Sequence, residues 1–397
     1  MAETPEQKLE ADLAIAENVL STRFGNQIQL AFGEKEGLSG RTYVHRLNVV
    51  QGAPEVPQSL IMKQARAGED QPYDPDAIGG PASRLFDEWA GLQFLNDVCT
   101  DPLPAPRFYG GDRSAGIILM EDFGTGMRLD HALRGEDAAV AEKTMVALSA
   151  TVGRMHAQSI GKQPRYDEIR QALGPRGTPR GRVSRWDLKG IRPSLSSIGS
   201  TPHRGFFKEC EAISKALNEP GPFNAYIHSD PCPDNCHWVG SDLRLLDFDG
   251  GRYSHALLDG VYPRIHFPSC WCANRVPDDV MRKAEAAYRY ELTKGCPKAA
   301  DDRIFYPAVV RICACWAFVT FTRSILNVLE EDREWGIATI RQRLILRFNL
   351  VAETAEEFGC CKAIGETARK IVSKLQSLWG DVVEMPYYPA FDPKVKS

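Results

Sequence analysis

The sequence predicts an α+β fold with two lobes: a small lobe built on an antiparallel sheet with one long helix, and a larger lobe that is mostly helical. The chain has 397 residues, which is more than one compact core usually holds. Short runs of β-forming residues fill the chain up to Asp122, whereas helical periodicity dominates from residue 278 to residue 380. We therefore expect a first domain at 1–122 and a second at 123–397.

The small lobe combines two helical stretches with several short strands. In the second stretch Leu85, Trp89 and Leu92 recur at helical spacing and give the helix an apolar side. The strands are rich in β-branched and aromatic residues, and a glycine-bearing turn links the first two into a hairpin. The expected helices cover 5–22 and 82–98, and the expected strands cover 27–33, 41–50, 59–63, 107–109 and 116–120.

The larger lobe begins with a strong helical pattern and ends in a long helical region. Between them, residues 161–203 are rich in Gly, Pro, Arg and Ser, and we expect this stretch to be a flexible insertion. The expected helices cover 138–157, 205–217 and most of 278–380, and the expected strands cover 225–228 and 243–247.

Composition and charge argue against several classes of function. A formal net charge of −4 offers no electrostatic basis for binding nucleic acid. The N-terminus carries no secretory signal pattern, and no apolar stretch has the length needed to cross a bilayer. We therefore expect a cytoplasmic protein without a nucleic-acid or membrane partner, and the sequence does not indicate its oligomeric state.

The chain contains eleven cysteines, a large and odd number. In a cytoplasmic chain of this size we expect reduced core thiols rather than a disulfide framework. A zinc site at Cys232 and Cys236, or at Cys270 and Cys272, is disfavoured because a second well-spaced Cys/His pair is missing.

The most informative stretch reads H-S-D-P-C-P-D-N over residues 228–235, and an apolar strand ending in D-F-D at 247–249 follows it. Phosphoryl transfer uses these residue types. One carboxylate orients and deprotonates the acceptor hydroxyl, while an amide oxygen and a second carboxylate hold Mg²⁺ against the phosphates. We expect the short hairpin between the motifs to bring the three side chains to one metal site.

This pair of motifs resembles the catalytic loop and metal-binding strand of aminoglycoside phosphotransferases, choline kinases and fructosamine kinases, the small-molecule branch of the protein-kinase-like fold. The resemblance implies that Asp230 is the catalytic aspartate and that Asn235 and Asp247 are metal ligands. It also implies that His228 braces the loop. The chain departs from the family at Cys232, where relatives often carry histidine, without losing a catalytic group.

The same family requires a strand lysine that reaches the α- and β-phosphates and a helix glutamate that holds this lysine. Lys63 ends an apolar strand, and Glu88 lies on the helix that follows it. Their order along the chain matches the family, so the resemblance implies both roles. Asp87 is the alternative to Glu88.

A glycine-bearing turn between the first two strands resembles the hairpin that covers the phosphates in this family. Its backbone N–H groups would face the β- and γ-phosphates. The turn is not a G-x-G-x-x-G motif, and an ordinary hairpin is the alternative interpretation. The expected phosphate-contacting residues are Gly37, Ser39, Gly40, Arg41 and Thr42.

The strand that ends in Met120, Glu121 and Asp122 resembles the connector whose backbone binds adenine in this family. Further along, His156 and Asp259 match positions that have structural roles there. The resemblance fades beyond Asp259.

The segment that follows Asp259 matches no family pattern, but its aromatic and basic residues suit an acceptor pocket. We expect Arg264 and His266 to contact the acceptor, with core packing as the alternative.

The resemblance implies an ATP- and Mg²⁺-dependent phosphotransferase that moves the γ-phosphate to a hydroxyl of a small molecule. An amino sugar, an amino alcohol, a sugar and an antibiotic all remain open as acceptors. A nucleotide-binding regulatory module without transfer activity is the alternative. A protein kinase is disfavoured, because the Arg beside Asp230 and the D-F-G and A-P-E signatures are missing.

Overall fold

The computed structural model describes residues 5–33, 37–38, 42–66, 73–177 and 186–392. The chain divides into two compact units, each assembled from three segments. Unit 1 comprises Met1–Gly126, Lys162–Pro179 and Arg244–Arg252, and unit 2 comprises Met127–Gly161, Arg180–Leu243 and Tyr253–Ser397. The chain first passes from unit 1 to unit 2 after Gly126, close to the predicted boundary after Asp122, but two later segments belong to unit 1 again.

Unit 1 contains a six-stranded antiparallel sheet in the order β1-β3-β4-β6-β5, with β2 paired to β3. The helices α1, α2 and α5 belong to the same unit. The strands are β1 (Gln29–Phe32), β2 (Gly37–Leu38), β3 (Thr42–Gln51), β4 (Ser59–Ala65), β5 (Phe108–Asp112) and β6 (Ile117–Glu121), and the helices are α1 (Pro5–Phe24), α2 (Pro81–Val98) and α5 (Gln163–Ala172).

Strand β4 shows how the sheet positions functional groups. Leu60 and Met62 are buried and pack in one apolar cluster with Ala16 and Leu20 of α1. Because side chains alternate along a strand, the neighbouring Lys63 points to the opposite face. The apolar pattern of β4 therefore fixes the direction in which this lysine points.

The Arg-rich stretch 161–203 is more regular than the sequence predicts. Helix α5 packs in unit 1, where buried Arg170 donates a 2.7 Å hydrogen bond to Asp87 of α2. Helix α6 (Leu188–Ser197) belongs to unit 2. Both helices bury apolar or paired side chains. Residues 178–185 of this stretch lie outside the described residues, and a flexible insertion there stays a prediction.

Unit 2 is mostly helical, with short strands around the loop at 228–235. Strands β7 and β10 pair, β8 and β9 form a hairpin, and β11 and β12 form another. The helices are α3 (Leu129–Arg134), α4 (Ala138–Ser159), α6, α7 (Phe206–Asn218), α8 (Leu257–Gly260), α9 (Asp278–Thr293), α10 (Asp302–Glu330), α11 (Ile340–Glu357) and α12 (Lys362–Leu378). The strands are β7 (Asn224–Ile227), β8 (Cys236–Val239), β9 (Asp242–Leu245), β10 (Arg252–His255), β11 (Glu334–Trp335) and β12 (Ala338–Thr339).

Helix α10 forms much of the core of unit 2. Its Phe318 and Phe321 pack edge-on against Phe348 of α11, with ring centroids 5.0 and 5.3 Å apart. Contrary to the expectation that no apolar stretch is long enough to cross a bilayer, α10 has the length and apolar composition to do so among the described residues. In the structure, 72% of its most apolar stretch is buried in the protein.

The predicted fold class is confirmed. One unit holds a small antiparallel sheet with one long helix on the lysine-bearing side, and the other is mostly helical. The sequence did not predict β8 and β10, because both are short and carry polar or aromatic residues without strict alternation.

Candidate active site

In unit 1, a lysine and two carboxylates from three separate segments meet in one cluster. Lys63 Nζ on β4 lies 2.7 Å from Glu88 Oε1 on α2 and 3.0 Å from Asp247 Oδ1, which follows β9. The Glu88 side chain is 2% exposed, whereas that of Asp247 is 52% exposed. The cluster therefore has a buried ion pair at its base and a solvent-facing carboxylate at its surface.

The charges in this cluster keep the lysine protonated. Burial alone would lower the pKa of Lys63, but the carboxylates of Glu88 and Asp247 raise it above its ordinary value. The cluster contains one ammonium group and two carboxyl groups. Carboxylate oxygen is the donor chemistry that Mg²⁺ prefers, and Asp247 offers it at the exposed side of the cluster, so the residues fit a divalent cation there.

Glu88 and Asp87 are the two candidates for the acid that holds Lys63. They are adjacent on α2, and their side chains point in different directions. Glu88 points to Lys63, whereas Asp87 binds Arg170 at 2.7 Å and Arg176 at 3.3 Å. Glu88 is therefore the residue that holds the lysine.

The backbone at Asp247 has φ of 65°, in the left-handed region. Aspartate and asparagine tolerate this region better than most residues. This conformation directs the carboxylate of Asp247 toward Lys63. The adjacent acid, Asp249, instead pairs with Arg84 of α2 at 3.2 Å.

In unit 2, the loop at 228–235 follows β7 and is held at its start by Asp259. The buried carboxylate of Asp259 accepts hydrogen bonds from the backbone N–H groups of His228 at 2.6 Å and Ser229 at 3.0 Å. His156 Nε2 lies 3.4 Å from the same carboxylate, and His156 Nδ1 lies 3.0 Å from Tyr288 OH. These contacts give Asp259 and His156 the structural roles that the sequence predicts.

The rest of the loop turns tightly around Asp230. The N–H of Asp230 donates to His228 Nδ1 at 3.3 Å, and Asn235 Nδ2 donates to the carbonyl of Asp230 at 3.1 Å. Because the amide nitrogen of Asn235 is used inside the loop, its oxygen is the atom left to coordinate a metal. The turn at Pro233–Asn235 is a single 3₁₀ turn.

The carboxylate of Asp230 is contacted by residues that the sequence did not single out. Ser269 Oγ donates a hydrogen bond to Asp230 Oδ1, and Ser269 Oγ also lies 2.8 Å from Tyr262 OH. Tyr262 OH donates in turn to the carbonyl of Ser229 at 3.1 Å. The signal in the sequence is weak, since the polar and aromatic residues after Asp259 suit pocket lining as well as a contact with Asp230.

One pair of cysteines departs from the reduced thiols that the sequence predicts. Cys232 and Cys270, 38 residues apart, form a disulfide with Cα atoms 5.6 Å apart. Cys236 and Cys272 are buried free thiols. The spacing along the chain could not reveal this pair, because the segment that carries Cys270 meets the loop only through packing of unit 2.

The predicted phosphate-binding turn is described only in part. Gly37 lies in β2 opposite Val44, and Thr42 begins β3 opposite Ala65. Ser39, Gly40 and Arg41 lie outside the described residues. Phosphate contact by this turn stays a prediction.

The side chains of the predicted adenine connector make structural contacts. Glu121 binds Arg244 at 2.7 Å, and Asp122 binds Arg46 at 2.8 Å. Met120 is buried in the core of unit 1. Adenine binding by the backbone of these residues stays a prediction.

Of the two residues expected to contact the acceptor, His266 belongs to the core. It is buried, its Nδ1 accepts the N–H of Val276 at 3.2 Å, and burial lowers the pKa of His266 to about 3. The expected contact of His266 with the acceptor is therefore not supported. A neutral, buried imidazole has no exposed face to offer.

Arg264 is also buried, at 4% exposure, between two acids. It pairs with Glu357 at 2.8 Å and with Glu285. Burial alone would lower the pKa of Arg264, but the two carboxylates raise it above its ordinary value. Arg264 lines a cavity of about 570 Å³ in unit 2, and its role with an acceptor stays a prediction.

No family model and no curated protein matches the chain. Several solved structures are similar to it over most of its length. The choline kinase of Cryptosporidium parvum Iowa II matches 92% of this chain and 99% of its own, at 12% identity and a TM-score of 0.47. The choline kinase of Streptococcus pneumoniae matches 86% of this chain and 98% of its own, at 12% identity and a TM-score of 0.41.

The macrolide 2′-phosphotransferase of Brachybacterium faecium matches 80% of this chain and 93% of its own, at 15% identity and a TM-score of 0.41. By name, all three proteins are small-molecule kinases. Likeness at this level does not decide the activity of this chain, which depends on its own residues.

Proposed function

We propose that this protein is an ATP- and Mg²⁺-dependent phosphotransferase that moves the γ-phosphate of ATP to a hydroxyl group of a small molecule. The observation that carries the proposal is the position of Lys63 between Glu88 and Asp247. A buried glutamate that orients a strand lysine, beside an exposed aspartate, suits a nucleotide phosphate chain with a bound cation.

The proposal assigns nucleotide and metal binding to unit 1. Lys63 would bind the α- and β-phosphates as a fixed positive charge, with Glu88 setting the position of its ammonium group. Asp247 would hold Mg²⁺, which when bound neutralises the phosphate charge that builds up during transfer. The role of Asn235 as a metal ligand, which the resemblance implies, stays a prediction.

Asp230 is the proposed catalytic aspartate. Its carboxylate is partly exposed, while the loop that carries it is held by hydrogen bonds at both ends. A carboxylate in a fixed loop can orient an acceptor hydroxyl and take its proton as the new O–P bond forms. The acceptor is proposed to be a small alcohol of the cytoplasm, with amino alcohols, sugars, amino sugars and antibiotics as the classes to test.

ADP release tests this proposal. The protein is incubated with Mg-ATP and a panel of amino alcohols, sugars, nucleosides and antibiotics, beside Asp230→Asn. We expect one class of acceptor to raise ADP release by the wild type. We expect Asp230→Asn to lower that rate about 1,000-fold, consistent with the loss of a general base and of substrate orientation.

The variant separates catalysis from binding. Asp230→Asn should still bind Mg-ATP, since Lys63 and Asp247 are unchanged. ATP binding by both proteins without ADP release would favour a regulatory nucleotide-binding module. Full turnover by Asp230→Asn would overturn the assignment of Asp230, and failure of the wild type to bind ATP would overturn the proposal.

A further inference from the structure

The disulfide between Cys232 and Cys270 lies against the proposed catalytic carboxylate. Cys232 Sγ is 3.0 Å from Asp230 Oδ1 and 3.4 Å from Ser269 Oγ. Cys270 is the residue next to Ser269, whose hydroxyl donates to the same carboxylate oxygen. The loop around Asp230 is thus joined to residues 269–270 by the disulfide at Cys232 and by the hydrogen bond from Ser269 to Asp230.

That segment is anchored on its other side by helix α11. Buried Arg343 donates to the carbonyl of Cys270 at 2.8 Å and to that of Trp271 at 2.9 Å. Buried Arg347 donates to the carbonyl of Pro268 at 2.7 Å. The disulfide therefore ties the loop at 228–235 to a segment that several buried hydrogen bonds hold in place.

We propose that Cys232 and Cys270 form a redox site that reacts with thiol reductants, and that its oxidised state holds Asp230 in the catalytically competent position. The proposal rests on the proposed phosphotransferase function for its effect on turnover. The redox chemistry itself does not depend on that function.

The reaction is a thiol–disulfide exchange with a small dithiol. A thiolate of the dithiol attacks Cys232 Sγ, because Cys232 is the less completely buried residue of the pair, at 5% exposure against 0% for Cys270. Cys270 leaves as a thiolate that takes up a proton. The second thiol of the reagent then attacks its own sulfur in the mixed disulfide and releases Cys232 as a thiol. Two electrons pass to the protein disulfide, and the reagent becomes a cyclic disulfide; a low-molecular-weight disulfide reverses the reaction.

Reduction is expected to displace the loop. Unbonded heavy atoms keep a van der Waals separation of about 3.5 to 4 Å, so the two buried sulfurs must move apart when their bond is broken. Because the arginines of α11 hold the segment 268–271, the loop at 228–235 takes up most of the movement. Displacement of a reacting group by about 1 Å can lower the rate by about 100-fold.

Reduction also changes the donors around Asp230. In the disulfide, Cys232 Sγ has no hydrogen to donate, whereas the Ser269 hydroxyl donates to Oδ1. In the dithiol, the Cys232 thiol becomes an additional donor to the same oxygen. The added donor competes with the acceptor hydroxyl for the same carboxylate oxygen, so this change also lowers turnover.

The test compares oxidised and reduced protein in three measurements. Differential alkylation with mass spectrometry reports the state of each cysteine across dithiothreitol buffers of defined redox ratio. Amide hydrogen exchange reports the mobility of 228–236 and of 268–272. ADP release with Mg-ATP and an active acceptor gives kcat and KM, and a chelator of thiophilic metals is present throughout the alkylation and exchange measurements.

We expect Cys232 and Cys270 to be protected from alkylation together until reductant is added. On reduction, exchange should rise in 228–236 more than in 268–272, and kcat should fall at least tenfold while KM for ATP changes little. Cys232→Ser and Cys270→Ser should behave like the reduced wild type in both redox states. The control Cys360→Ser, which removes a cysteine outside the disulfide, should respond to reductant as the wild type does.

Ser269→Ala separates the hydrogen bond from the covalent link. This variant keeps the disulfide, and we expect its oxidised form to have a lowered kcat with an unchanged KM for ATP. Alkylation of both cysteines without reductant would overturn the redox site. Unchanged amide exchange in 228–236 on reduction would overturn the proposed effect of the disulfide on the loop. This measurement does not require phosphotransferase activity.

Discussion

At the scale of single residues, the buried ion pair of Lys63 and Glu88 sets the position of the ammonium group in the candidate nucleotide site. Glu88 is almost completely buried, so its charge depends on its lysine partner. Burial raises the pKa of Glu88, and Lys63 opposes that shift. Removing the lysine therefore leaves an acid that can be ionised only at a high free-energy cost.

Lys63→Met should destabilise the protein in a pH-dependent manner. Without the ammonium group, the pKa of Glu88 in the folded state rises further above its unfolded value. The folded state then binds more protons than the unfolded state between these two pKa values, so stability falls as pH rises. We expect the loss of unfolding free energy to grow from pH 5 to about 3 kcal/mol at pH 8, measured by denaturant unfolding.

The double variant Lys63→Met/Glu88→Gln is the matched control for this prediction. It removes both charges from the buried site, so it should recover most of the stability at pH 8 while phosphotransfer stays lost. A stability loss in Lys63→Met that is equal at pH 5 and pH 8 would show that Glu88 is not the group responsible.

At the scale of secondary-structure elements, the loop at 228–235 depends on α8 for its position. Asp259 lies in α8 and accepts two backbone N–H groups at the end of β7, where Ser229 adopts φ of 70°. Left-handed backbone at a non-glycine residue is unfavourable by itself, so the surrounding contacts must maintain it. The loop geometry is therefore a product of two elements rather than of the loop sequence alone.

Asp259→Asn should loosen the loop without touching the proposed catalytic residues. An amide offers one oxygen where the carboxylate offers two, so at least one charge-assisted hydrogen bond is lost. We expect a loss of about 2 kcal/mol in unfolding free energy and about a tenfold lower kcat, with KM for ATP unchanged. Asp279→Asn, at an exposed position on α9, should leave both quantities at wild-type values.

At the scale of the whole molecule, unit 1 is completed by segments that are distant in sequence. Asp247 lies in the returning segment Arg244–Arg252, and α5 lies in the returning segment Lys162–Pro179. A chain ending after Gly126 would therefore lack the exposed carboxylate of the lysine cluster and the partner of Asp87. The candidate nucleotide site needs the full chain.

Ligand-induced stabilisation of the full chain tests whether Asp247, in the returning segment, contributes to the candidate nucleotide site. A ligand that binds only the folded protein raises its stability by about 2.7 kcal/mol at 100 times its dissociation constant. We expect Mg-ATP to raise the melting temperature of the wild type and of Asp230→Asn equally. Asp247→Asn should keep its left-handed backbone but lose the additional increase that Mg²⁺ provides over ATP alone.

Two results would contradict this assignment. One is an equal effect of Mg²⁺ on the melting temperatures of Asp247→Asn and the wild type. The other is that Asp101→Asn, which removes an exposed carboxylate elsewhere in unit 1, also loses the additional increase in melting temperature that Mg²⁺ provides.

The sequence by itself determined the fold class, most of the helices and strands, and the candidate residues Lys63, Glu88, Asp230 and Asp247. These features are local: periodicity defines an element, and a motif places chemistry at the end of a strand. Lys63 and Glu88 were identifiable because each is the polar residue beside an apolar run, in an order that the resemblance supplied.

Only the tertiary structure decided which distant side chains meet. The disulfide of Cys232 with Cys270, the hydrogen bond from Ser269 to Asp230, and the burial of His266 all depend on how unit 2 packs the segment 262–275. Residue types in that segment were compatible with a pocket, a core or a metal site. Contacts between side chains that are tens of residues apart in sequence depend on how distant elements pack. Neither the spacing nor the composition of one sequence predicts them directly.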